Sequence, residues 1–141
     1  MNDSEILALS EKRERAIQRL QEAIAACKQA ELTHDEVLQL FRSDGDQNVI
    51  LDGSLIDHLD DDDATMLLRM AYGALTEGAA FVFTSVAEKR ARRESIYVRP
   101  PIVRTEQEIR ALCAAAGIGG TNVTVTREAR SLRVALEKLQ S

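Results

Sequence analysis

The sequence of 141 residues contains no tryptophan, two tyrosines and three phenylalanines, so its core has to be built from Leu, Ile, Val and Ala. That composition suits helices laid on a sheet. There are two cysteines, Cys27 and Cys113, both in Ala-rich settings ("AIAACKQA", "ALCAAAG") and in no C-x-x-C spacing. They read as small buried side chains of a reducing compartment rather than as a disulfide or a nucleophile. With two histidines, His34 and His58, a metal site has little material to draw on. No apolar run reaches the roughly 18 residues of a membrane span, and the first residues lack both a basic and an apolar signal region. The chain is therefore expected to be cytoplasmic, with no membrane partner. G-x-S-x-G, P-loop and H-E-x-x-H patterns are also missing, which leaves nucleophilic and phosphoryl-transfer chemistry without support. A formal net charge of −5 argues against nucleic-acid binding.

What is present is the composition of a folded domain, 45% hydrophobic and 29% charged. Residues 1–45 read as a helical arm and residues 46–141 as an α/β unit. Within the arm, residues 4–31 carry no Gly or Pro, and Asn2, Asp3 or Ser4 can serve as N-cap. Ile17, Leu20, Ile24 and Cys27 form one apolar stripe, which either packs on the domain's own core or meets a partner. Thr33-His34-Asp35-Glu36 has the form of a capping box and opens a second helix through Phe41, which stops at the loop Ser43-Asp44-Gly45-Asp46.

Residues 48–86 hold the clearest pattern. The apolar run Asn48-Val49-Ile50-Leu51 is followed by the turn formers Asp52-Gly53-Ser54, and the acidic run Asp60-Asp61-Asp62-Asp63 then opens a helix lasting to about Thr76. Asp60 or Asp61 is the cap, and the other carboxylates sit where the helix dipole favours them. Four successive aspartates fan outward and do not converge on one ion. After Gly78 comes a second run, residues 79–86, rich in β-formers and apolar on both faces, as a strand between two helix layers would be. Two such strands joined by a helix imply a parallel crossover. Alternation predicts Phe81 and Phe83 on one face and Val82 on the other.

Further on, "AEKRARRESIYVRPPIVR" contains Lys89, Arg90, Arg92, Arg93, Arg99 and Arg104 with Tyr97 among them. It reads as a solvated surface loop, or as a grip on a phosphate, an acidic substrate or an acidic partner. Thr105-Glu106-Gln107-Glu108 is another capping box, whose helix ends at Gly117. Val123 and Val125 alternate with polar neighbours, and Leu132, Val134 and Leu136 recur at the same spacing. The tail therefore reads as an antiparallel strand pair, although Leu132, Leu136 and Leu139 also fit a helical stripe.

The order "NVILDGSLIDHLDDDDATMLLRMAYGALTEGAAFVFTSV", then "RTEQEIRALCAAAGI", then "TNVTVTREARSLRVALEKL", resembles the C-terminal half of a class I S-adenosylmethionine-dependent methyltransferase over residues 46–139. The resemblance implies a partial Rossmann-like sheet, a parallel βαβ unit extended by C-terminal antiparallel strands. It also places Asp52, Gly53 and Ser54 in the wall of a cofactor pocket, with Arg90, Arg92, Arg93, Tyr97 and Arg99 near the substrate or partner side. In some small-molecule O-methyltransferases the next segment reads "L-H-D-W-S-D", its His acting as general base; the gap-free match sets Asp57 on that His and His58 one residue later. His58 could serve as a base at neutral pH, or could lie on the surface beside the aspartates.

The family's cofactor grip, a Gly-rich turn after its first strand and an acid ending its second, has no counterpart ahead of Asn48, where Gly45 is the sole glycine. The chain alone is accordingly expected to bind no cofactor, and whether it is an enzyme stays open, with the balance against catalysis by the isolated chain. Association with itself or a protein partner would be its mode of action, the more so because residues 48–51 would otherwise form an exposed sheet edge. The alternative is an S-adenosylmethionine-dependent small-molecule methyltransferase whose cofactor half comes from another chain.

Overall fold

A computed structural model describes residues 2–29, 33–44, 48–51, 54–87 and 101–138. Among the described residues four α-helices, α1 (Asp3–Lys28), α2 (His34–Leu38), α3 (Asp61–Ala74) and α4 (Glu106–Ala115), accompany five strands, β1 (Arg42–Asp44), β2 (Asn48–Leu51), β3 (Ala80–Val86), β4 (Val123–Glu128) and β5 (Ser131–Glu137). The strands form one sheet in the order β1-β2-β3-β5-β4. β2 and β3 are parallel, with Val49 opposite Phe81 and Leu51 opposite Phe83. The other three pairings are antiparallel.

The helix starts follow from local chemistry. Asn2 caps α1 by accepting from the Glu5 amide at 2.8 Å, and Asp60 caps α3 by accepting from the Asp63 amide at 2.8 Å. Both capping boxes form, Thr33 with Glu36 and Thr105 with Glu108. α3 ends at Ala74, two residues short of the expected Thr76, and Gly78, at φ 86°, turns the chain into β3. At the end of α4, Gly117 takes φ 84° and the Ile118 amide reaches back to the Cys113 carbonyl at 3.0 Å. That is the Schellman closure the "AAG" ending foretold.

The side chains of β3 divide as alternation requires. Phe81 and Phe83 lie together with ring centroids 5.7 Å apart, and Phe41 reaches Phe81 at 5.1 Å. On the same face lie Val134 and Leu136 of β5, which oppose Phe83 and Phe81. All four helices add side chains to this one cluster, including Ile17, Leu20 and Ile24 from α1 and Ile109 and Leu112 from α4. Val82 and Val86 are buried on the other face and lie outside that cluster. The α1 stripe thus packs on the domain's own core, against α3 and the turn after β2. Lys28 and Arg19 add polar ties, to Asp63 at 3.5 Å and to the Gln39 carbonyl at 3.2 Å.

One difference from the sequence reading stands out, and one alternative it left open is closed. Ser43 and Asp44, expected in a loop, belong to β1, which pairs with β2 through Ser43 opposite Val49. The edge expected to be bare is therefore covered by the chain's own residues. Second, the tail is a strand: Leu132, Val134 and Leu136 point into the core while Arg133 and Glu137 are exposed, the two-residue period of a strand rather than a helical stripe.

Phe83→Ala should cost about 3–5 kcal/mol in urea or guanidinium denaturation, the range for a fully buried large aromatic. Replacing Leu20 and Ile24 together by Asp should lower the melting temperature sharply with no change in mass by light scattering, because α1 is marginal without its tertiary contacts.

Candidate functional site

In open α/β sheets ligands collect beyond the C-terminal ends of parallel strands. Here those ends are Leu51 of β2 and Val86 of β3, bridged by the residues that follow Leu51. Asp52 and Gly53, expected in a cofactor wall, lie outside the described residues. Ser54 is described: it holds the left-handed conformation, φ 55° and ψ 32°, and its Oγ stands 3.0 Å from Thr84 Oγ1 on β3. A single 3-10 turn follows, Leu55–His58, whose Ile56 and then Leu59 insert into the core.

Asp57, on this turn, is fully buried. One of its oxygens accepts from Ser85 Oγ at 2.6 Å and the other from the Val86 amide at 2.7 Å, so both are committed to the end of β3. Burial pushes its carboxyl up from 3.8 to about 6, against the pull of the Ser85 and Val86 hydrogen bonds and of the Arg104 charge. His58, pictured from sequence as a possible surface residue, is buried, at 7% exposure.

Behind the turn sits Arg104, 1% exposed. Its Nη1 donates to the Ile56 carbonyl at 3.2 Å, its Nη2 to the Leu59 carbonyl at 2.7 Å and its Nε to Asp61 Oδ1 at 3.2 Å. A guanidinium has the fork that such a set of acceptors needs: the Ile56 carbonyl, which also accepts the Leu59 amide at 3.1 Å, takes a second donor from it. Arg104 was grouped by sequence with the arginines of the basic stretch. It is instead a buried strut, and nothing in the linear pattern set it apart. Arg90, Arg92, Arg93, Tyr97 and Arg99 lie outside the described residues.

The acidic run is also accounted for in large part: Asp60 caps α3, Asp61 pairs with Arg104 at 3.1 Å and Asp63 with Lys28 at 3.5 Å. Among the described residues no group of three or more His, Cys, Asp or Glu is placed to hold a metal ion. No described helix is long and apolar enough to cross a membrane.

At the level of sequence no family model matches the chain, and no curated protein does. Solved structures do match its fold. An O-methyltransferase family protein from Burkholderia thailandensis is 13% identical with a TM-score of 0.50, over 69% of this chain and 32% of that one. The S-adenosylmethionine-dependent methyltransferase SibL, in its apo form, is 16% identical with a TM-score of 0.53, over 74% of this chain and 34% of that one. PigF with SAH is 17% identical, TM-score 0.53, over 72% of this chain and 33% of that one. The likeness is one of fold: this chain has the α/β fold of part of a methyltransferase domain. It spans about a third of the length of these three structures.

Arg104→Ala should destabilise the chain by about 1–3 kcal/mol in chemical denaturation, the cost of taking its donor from the buried Leu59 carbonyl, while the Ile56 carbonyl keeps the Leu59 amide. Arg104→Lys should recover less than half of that loss, because one ammonium cannot reproduce the fork.

Proposed function

We propose that this chain is a methyltransferase-like half-domain that carries out no methyl transfer by itself and acts by associating with a second copy or with a protein partner. The observation that carries this reading is the state of Asp57. In the resemblance it stands where some O-methyltransferases hold their general base, and here its carboxylate is sealed from solvent with both oxygens taken by Ser85 and Val86. A general base has to come within hydrogen-bond reach of the proton that it abstracts. Asp57 has no access to solvent, each of its oxygens already accepts one hydrogen bond from the end of β3, and it serves to fix the turn. The residues ahead of Asn48 supply no Gly-rich phosphate-type turn and no ribose-binding acid.

The basic stretch with Arg90, Arg92, Arg93, Tyr97 and Arg99 is the proposed contact for an acidic partner or substrate, since clustered cations beside an aromatic recognise anionic and apolar groups together. Asp52, Gly53 and Ser54 are the proposed contacts with a cofactor, S-adenosylmethionine, in an assembly in which another chain provides the rest of the pocket.

Isothermal titration with S-adenosylmethionine and S-adenosylhomocysteine tests the reading. No heat of binding is expected at ligand concentrations up to about 100 μM, while a dissociation constant below about 10 μM, roughly −7 kcal/mol, would overturn it. Sedimentation equilibrium of the purified chain should show a concentration-dependent mass above that of one copy if the partner is a second copy.

A further inference from the structure

Three stretches of chain meet at Asp57. Its amide donates to the Ser54 carbonyl at 3.1 Å, its carboxylate holds Ser85 and the Val86 amide, and its own carbonyl accepts from the Ile102 amide at 2.7 Å. Val86 ends β3 and Ile102 lies near the start of the next described stretch. Both roots of the intervening chain are thereby tied to one buried residue, and Ala87 adds only a bond to the Arg130 carbonyl at 2.8 Å.

We propose that Asp57 is a protonation-sensitive clasp on these two roots, which open locally from the turn when its carboxyl gives up a proton and close when it regains one. A carboxylate shut away from water is costly, and opening the turn rehydrates it. The closed state holds its proton up to about 6 and an opened turn only to about 3.8. The open form binds fewer protons between those values, so opening is suppressed below about 4, grows as pH rises towards about 6 and then levels off.

The charged and titratable neighbours do not remove this dependence. Arg104, from the segment leading into α4, lowers the carboxyl's pKa but is itself held by Ile56, Leu59 and Asp61. β3 brings the hydroxyls Thr84 and Ser85, which carry no charge. The start of α3 brings Asp60 and Asp61. α1, packed against the turn, brings Arg13 and Glu14, both half-buried. Arg130 lies next to the first root, and His58 lies on the same turn.

Amide hydrogen exchange followed by NMR on the intact chain tests the clasp. The Val86 and Ile102 amides should exchange faster, relative to their intrinsic rates, than the Leu67 amide in α3, and their opening constants should rise about tenfold between about pH 5 and pH 7. In Asp57→Asn, where the introduced amide can donate to Ser85 Oγ and its oxygen still accept from Val86, the rise should vanish. A rise that persists in that variant would assign the titration to another group and overturn the proposal. Equal protection at all three amides would also overturn it, since exposure of Asp57 would then require global unfolding. A ¹³C carboxyl titration of the unmodified chain is independent of how the variant folds: a midpoint near 6 is expected, and one near 3.8 would sink the clasp.

Discussion

β3 is bonded on both sides, to β2 in parallel and to β5 antiparallel, and it is the strand on which both halves of the sheet hang. A strand in that position must satisfy every backbone group through its neighbours and bury both faces. The run Phe81-Val82-Phe83 meets the second demand, with phenylalanines towards the helices and valine away from them. Its C-terminal end meets the first in a less usual way. Where the ladder finishes, the Val86 amide turns to the Asp57 carboxylate and the Ala87 amide to Arg130. The end of the strand and the turn after β2 are fixed by one knot of buried polar groups.

That knot explains why a carboxylate is tolerated in an apolar interior. Two charge-assisted hydrogen bonds and a nearby guanidinium offset part of the desolvation, and the residue of that cost appears as the raised pKa. The same guanidinium donates to the Ile56 and Leu59 carbonyls, so Arg104 and Asp57 both hold this one turn. A sheet end built in this way presents Ser54 and Thr84 as its outer polar pair, while the acid stays inside. Structural neighbours with the methyltransferase fold extend over about three times this length, and the chemistry of a whole domain cannot be transferred to a third of it.

The strand β1 alters the argument for association. A parallel pair with a bare flank is prone to pair with another chain. Arg42–Asp44 cover that flank, and the α1 stripe is consumed by the core. Neither the β2 edge nor the apolar stripe is left as a surface in need of a partner. Association, if it is the chain's role, has to draw on other groups, of which the basic stretch is the most distinctive.

Much of the architecture was legible in the sequence because its signals are local. Capping boxes at Thr33 and Thr105, the αL glycine after α4 and the alternation at Phe81 to Phe83 involve residues within a few positions of one another, so a linear reading captures their physics. The resemblance to a partial methyltransferase sheet rested on the order of those pieces. What tertiary structure alone decided was of another kind. Arg42-Ser43-Asp44 has no strand propensity worth the name and becomes a strand only because β2 offers it a ladder. The last segment could satisfy a helical or a strand period, and pairing with β3 chose between them. Asp57 stood just ahead of an acidic run and Arg104 looked like a member of a basic one, yet both are buried, since burial depends on residues about 30 to 45 positions away that no window along the chain contains.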